Sequence, residues 1–162
     1  MKLRELCERD AETIKNWRPY PEEFKDLDYA LREAGWIDEF SEKFGTMIYA
    51  GEENDAIIGF TILSKDEGAD NQAEFQIALN PEMLGQGAGR ELARMTLEMG
   101  LKEMGIHKIY LIVRKNNHRA KRLYEHPGFQ ESGECQKEIH GMMADLFEMT
   151  LNKEIFERSM KV

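Results

Sequence analysis

The sequence predicts an α/β (α+β) domain built around one mixed sheet. Three observations lead there. Short β-rich runs bounded by turn residues recur between Met47 and Leu79 and again between Phe129 and Leu151. One long helical pattern, Gly87 to Met104, separates two strand runs. The strand–helix–strand unit over residues 73–113 calls for a right-handed crossover, and so for a parallel pair of strands.

The elements follow in order. Lys2 to Cys7 reads as a first strand, and Asp10 is placed to cap a helix running to about Trp17. Arg18-Pro19-Tyr20-Pro21 stops that helix, because each proline restricts the residue before it. Glu22 to Phe44 reads as mostly helical, broken near Gly35. Met47 to Gly51 and Ile57 to Leu63 are strands joined by a turn at Glu52-Glu53-Asn54-Asp55, and Ala73 to Leu79 ends at Asn80-Pro81. On the long helix, Ala88, Leu92, Met95 and Met99 share one face. Ala93, Leu97, Leu101 and Met104 fall on the opposite one, so the helix is expected to be sandwiched. Ile109 to Val113 is a buried strand, and Asn117 to His126 a short helix ended by Pro127-Gly128. Phe129 to Ile139 and Ala144 to Leu151 form two strands turning at Gly141, followed by a charged tail from Asn152.

With 162 residues and no linker or repeat, residues 1–162 are expected to be one domain. Lysine and arginine number 22 against 31 acidic residues, a net charge of −9. Such a surface repels phosphate backbones and draws in amines, which argues against nucleic acid as a partner. Cys7 and Cys135 form no CxxC pair, which suits a cytoplasmic protein without a disulfide scaffold or thiolate metal site. The start MKLRELCERD has no apolar leader, and no run approaches the length of a membrane span. His107, His118, His126 and His140 lack metal-ligand spacing, so no metal is expected.

The most informative segment is Leu79-Asn80-Pro81-Glu82-Met83-Leu84-Gly85-Gln86-Gly87-Ala88-Gly89-Arg90. A strand ends, three alternating glycines follow, and a long helix begins. Unpaired N–H groups of a first helical turn, with the helix dipole behind them, make an anion cradle, and a pyrophosphate is its natural ligand. A Walker loop is excluded, since Gly89 is followed by Arg90-Glu91, and neither frame gives G-x-G-x-x-G. Three glycines alone fit a flexible turn without a ligand equally well.

Downstream stand Asn117, Ala120, Leu123, Tyr124, Gly128 and Phe129, in the order Asn-x-x-Ala-x-x-Leu-Tyr-x-x-x-Gly-Phe. With the glycine loop before it, the chain resembles the GNAT family of acyl-CoA-dependent N-acetyltransferases over roughly residues 73–130. The segments Gly141–Met149 and Leu3-Arg4…Trp17-Arg18 look like the branch that acetylates ribosomal-protein N-termini and polyamines. The resemblance implies a mostly antiparallel sheet of about six to seven strands flanked by helices, splayed between the strands at 73–79 and 109–113. It implies an acetyl-CoA co-substrate whose pantetheine arm pairs with backbone groups of Ile77, Ala78 and Leu79. Gly85, Gln86, Gly87, Ala88, Gly89 and Arg90 would take the pyrophosphate, Asn117 the arm, and Tyr124 the role of general acid beside the thioester sulfur. Its acceptor would be a primary amine, either a small cation such as a polyamine or a peptide N-terminus, and the region Trp17 to Phe44, with Trp36 and several acids, is expected to shape the acceptor pocket.

The family pattern is broken at Leu84, which replaces a Gln or Arg, and at Ile112, where some N-terminal acetyltransferases carry a basic glutamate. Glu74, one strand earlier, is therefore nominated as the base. Each candidate has a plainer counterpart: Tyr124 packs a helix face with Ala120 and Leu123, Glu74 is a solvated strand residue, and Asn117 is a helix N-cap. The run Arg114, Lys115, Arg119, Lys121 and Arg122 is either a solvated face or a contact for the 3′-phosphate of coenzyme A. Leu84 and Ile112 keep open a non-catalytic acyl-CoA sensor on the same fold, and the cradle keeps open a nucleotide-binding protein. The late strand pair is compatible with a homodimer.

Overall fold

The computed structural model describes residues 1–160. Its strands are β1 (Lys2–Glu5), β2 (Thr46–Glu53), β3 (Ala56–Asp66), β4 (Ala69–Leu79), β5 (Lys108–Arg114), β6 (Gln130–Ile139) and β7 (Met142–Asn152). They form one sheet in the order β1-β2-β3-β4-β5-β7-β6, antiparallel throughout except between β4 and β5. This is the mixed, mostly antiparallel sheet that the sequence predicts, with the parallel pair where the crossover requires it.

Five helices flank the sheet: α1 (Glu8–Lys15), α2 (Trp36–Phe40), α3 (Ala88–Glu103), α4 (His118–Glu125) and α5 (Lys153–Met160). A 3-10 segment spans Glu22–Leu31. The sheet divides the core in two. Ile14 of α1, Leu31, and Ile37 and Phe40 of α2 pack on Phe60, Ile62 and Ala78. Leu97 of α3, Tyr124 of α4 and Phe156 of α5 pack with Phe75, Ile109, Leu111 and Met149. Alternation along β4 sends odd-numbered side chains to the α3 side and even-numbered ones to the α1 side.

Several expectations are corrected. Asp10 is not the cap of α1 but its third residue. Cys7 holds the cap position, and the Asp10 carboxylate accepts the Cys7 N–H at 2.9 Å while pairing with Arg4 at 2.6 Å. That pairing with Arg4, more than the cap contact, holds the Asp10 carboxyl down to about 2. The charged tail, to which the sequence assigns no element, is helical, begun by the Asn152 side chain accepting the Ile155 N–H at 2.9 Å. Helix α3 is not sandwiched. Its buried residues, among them Ala88, Leu92, Ala93, Leu97 and Leu101, form one broad stripe. The middle of that stripe is Gly89, Thr96 and Gly100, which an apolar count passes over, so one face reads as two.

Those middle positions let α3 approach the sheet closely. A Cβ at Gly100 would stand 2.9 Å from Leu63 Cδ1. The Thr96 hydroxyl donates to Leu92 O at 3.0 Å and lies 2.7 Å from the buried Thr61 hydroxyl, which therefore donates to it. Thr96→Val strands the Thr61 O–H in the core, at a cost of about 1–3 kcal/mol. Urea denaturation should show that loss, with the double variant Thr61→Val/Thr96→Val recovering most of it.

Candidate active site

Strands β4 and β5 pair only at Gln72–Lys108, Ala73–Ile109 and Glu74–Tyr110. Beyond that point each keeps its outer partner, β4 as far as Leu79–Gly59 and β5 as far as Arg114–Leu146, while the two diverge from each other. A cavity of about 500 Å³ runs through the resulting fork. The Asn80 N–H donates to Ile58 O, so in the alternating antiparallel pattern the Ala78 amide and carbonyl face β3. The backbone groups of Ile77 and Leu79 face the fork.

One end of the cavity is the loop between β4 and α3. Gly85 and Gly87 adopt φ of +79° and +82°, a left-handed conformation that costs glycine little. Gly87 caps α3, so the first-turn N–H groups open toward the cavity. Gly85, Gly87, Gly89 and Arg90 line it, as does Leu84. Gln86 and Ala88 are outside the lining. The Gln86 amide turns back to Glu82 O at 3.1 Å, and Ala88 is buried.

Helix α4 forms a second wall. Asn117 lines the cavity and also caps the helix, its Oδ1 accepting the Ala120 N–H at 3.1 Å, so the expected cap is present. The basic run divides. Lys115 pairs with Glu134 and Lys121 with Glu131, and both ammonium groups lie over the Phe147 ring. Arg114, Arg119 and Arg122 instead line the cavity. The Arg119 guanidinium sits over the Phe24 ring of the 3-10 segment, 5.6 Å from its centre, and its Nη2 is 2.8 Å from where a Cβ at Gly85 would stand. Tyr124 reaches the fork from the α3 side. It meets Phe75 and Phe129 edge-on, at 6.3 and 6.0 Å, and burial pushes its phenol well above the usual range, so it stays protonated.

The third wall lies on the other face of the sheet. Glu74 lines the cavity there. Burial raises its carboxyl above the ordinary range, Lys137 and Lys43 draw it back, and Asp66 and Glu39 add to the rise. Tyr20 also lines the cavity and donates its hydroxyl to Leu79 O at 2.7 Å. Arg32 fixes that segment: it holds Asp28 through two hydrogen bonds, at 2.9 and 2.8 Å, and donates to Lys15 O and Trp17 O. Asp28 in turn accepts the Tyr20 N–H at 3.1 Å. Tyr29 touches Trp36 edge-on and lies against His140 of the β6–β7 turn, the ring centres 4.3 Å apart. That turn carries the exposed Met142 and Met143.

Glu74, Ile77, Leu79, the glycine loop, Asn117 and Tyr124 thus share one cavity although they come from three elements. Tyr20, Phe24, Tyr29 and Gln76 also line it and are not among the residues the sequence singles out. Tyr20, Phe24 and Tyr29 fall within the region Trp17 to Phe44 expected to shape the acceptor pocket, but none is named singly, and Tyr20 between its two prolines reads as a helix stop. The available signal was the density of aromatic residues from Trp17 to Trp36.

The model of the Acetyltransferase (GNAT) family matches residues 11–129, and the chain belongs to that family. Among curated proteins it is 37% identical over 95 residues to spermidine N(1)-acetyltransferase of Vibrio cholerae, a match covering 57% of this chain and 55% of that protein. The chain spans about half the length of the curated relatives it matches. Among solved structures, spermidine N-acetyltransferase from Vibrio cholerae in complex with CoA and spermine superposes with a TM-score of 0.78 at 26% identity, over 96% of this chain and 97% of that one. A dodecameric structure of the Vibrio cholerae enzyme superposes at 0.72 with 26% identity, over 94% of each chain.

Tyr20→Phe leaves the Leu79 carbonyl without its donor and frees the Pro-flanked segment. It is expected to lower the unfolding free energy by about 1 kcal/mol. Amide exchange should quicken at residues 18–24 while the α3 amides stay protected.

Proposed function

We propose that residues 1–162 are one acetyltransferase domain that moves the acetyl group of acetyl-CoA onto a primary amine of a small cationic acceptor, of the spermidine class. One observation carries this reading: a single cavity through the β4–β5 fork has an anion cradle at one end, a half-buried carboxylate on the far face, and a buried phenol between the strands. The spermidine acetyltransferases it resembles support the acceptor class. A peptide N-terminus is the other acceptor that the motif resemblance allows.

In this reading Gly85, Gly87, Gly89 and Arg90 hold the pyrophosphate, with the backbone of Gln86 and Ala88 completing the turn. Coenzyme A supplies the activated thioester. Its arm would pair with the fork-facing groups of Ile77 and with the N–H of Leu79, whose carbonyl accepts the Tyr20 hydroxyl, since those of Ala78 are spent on β3, and Asn117 would meet the arm's amides. A primary amine with a pKa near ~10 arrives protonated and cannot attack until it loses a proton. Glu74 accepts that proton, directly or through water, and its raised pKa makes it a stronger base. The freed nitrogen attacks the carbonyl carbon and forms the C–N bond. A backbone N–H of the fork-facing β4 edge faces the oxygen as it gains charge. The C–S bond then breaks, Tyr124 gives its proton to the departing thiolate, and the acylated nitrogen gives up its second proton, directly or through water, to restore the phenol and leave the neutral amide.

Two unpaired cysteines fit a reducing compartment, and the proposal places the enzyme in the cytoplasm. Among the described residues no helix is long and apolar enough to cross a membrane, and no group of acidic, His or Cys residues is placed to hold a metal ion. Self-association is part of the reading: β6 is an open sheet edge, and a solved neighbour is dodecameric.

The direct test is thiol release from acetyl-CoA against amines of differing charge and size. Spermidine and spermine should react well and neutral or acidic amines poorly. Tight acetyl-CoA binding by calorimetry without thiol release from any amine would instead favour a sensor module. Tyr124→Phe should lower kcat by roughly 10²-fold with little change in acetyl-CoA affinity. The rate of the unaltered enzyme should rise with pH as Glu74 loses its proton, above the range of an ordinary glutamate, and Glu74→Gln should abolish that limb.

A further inference from the structure

Gln76 stands two residues beyond Glu74 on the same face of β4, so the two side chains rise side by side, about 7 Å apart at their bases. It belongs to the part of the strand that no longer pairs with β5 and lines the cavity. Its carboxamide oxygen is shut off from solvent and accepts no hydrogen bond, the one side-chain atom so placed among the described residues. A buried acceptor without a donor destabilises the fold. Ile62 stands opposite on β3 and Ala78 follows on the same face, so an apolar side chain of equal length would fill the place without that penalty. Packing therefore does not account for an amide here.

We propose that the Gln76 carboxamide binds the acceptor's amino nitrogen: its oxygen takes one N–H of the amine and so turns the nitrogen's lone pair toward the thioester carbonyl. This rests on the acetyl-transfer reading and adds a residue that selects and orients the acceptor. The terminal torsion of glutamine is broad, so a half-turn brings the oxygen into the cavity, with the amide nitrogen taking the buried place and the bond to the amine offsetting its burial. Face and chemistry separate the amine from the arm of coenzyme A. The arm's amides are met by backbone in the plane of the sheet, whereas Gln76 projects from the face that carries Glu74. A primary amine that has given one proton to Glu74 keeps two N–H groups, one of which Gln76 can hold. An alcohol that has given its proton keeps none, so this pair of residues favours amines over hydroxyl acceptors.

The test uses Gln76→Met, which keeps the length and removes the acceptor, with spermidine as the probe amine. Expected are a fall of about tenfold or more in kcat/KM for spermidine, an acetyl-CoA Kd within about twofold of the parent by calorimetry, and a melting temperature that is unchanged or higher. Gln76→Glu, which keeps an oxygen acceptor, should retain more activity than Gln76→Met. Unchanged kcat/KM for spermidine, a loss of acetyl-CoA affinity that matches the loss of rate, or a lowered melting temperature would each overturn the assignment. Parent protein that releases no thiol with spermidine removes the acetyl-transfer reading and this assignment with it. Parent turnover that Gln76→Met leaves intact removes the assignment alone.

Discussion

The geometry of the site depends on where β4 and β5 stop pairing. Three residue pairs hold them together, and Phe75 is the first residue past the last pair. Its ring packs with Tyr124 and Phe129 at the crotch of the fork. Each strand remains anchored on its outer side, so the gap opens inside the sheet without fraying the sheet itself. Backbone groups that water or a ligand must satisfy are thereby exposed in the middle of a domain, where buried polar groups are otherwise paired. The cradle before α3, the phenol of α4 and the carboxylate of β4 take their relation to one another from this opening.

Much of the fold was legible from the chain. The β2–β3 hairpin, the helix after the glycines and the parallel crossover each leave a local pattern, because turn residues and apolar periodicity act within a few positions. Asn54 and Asp55 take positive φ in a two-residue turn, as hairpins of that length require. The errors have physical causes. Thr96, Gly89 and Gly100 occupy the most buried line of α3, but hydroxyls and hydrogens carry no hydrophobic signal. The last helix is short and charged, and its helicity rests on an asparagine cap and on Phe156 docking into the core.

The site was legible to a different depth. The glycine turn before α3 and the Asn117 cap follow from local backbone requirements, so residue order is enough to find them. Tyr20 depends on Asp28 and Arg32 folding back on it, and Gln76 on the burial of its oxygen once the sheet has formed. No spacing rule encodes either. The basic run shows the same limit: from sequence it is one patch, whereas in the fold its two lysines are spent on β6 carboxylates and its three arginines line the cavity.

The short 3-10 segment is tied across the opening at two places, by the Arg119 guanidinium over Phe24 and by Tyr29 against His140. A segment held at both ends in this way keeps its aromatic rings beside the fork and narrows the approach from that side. In the proposed acetyl transfer, an elongated co-substrate and a small amine would therefore come to the reacting centre along the fork rather than across it.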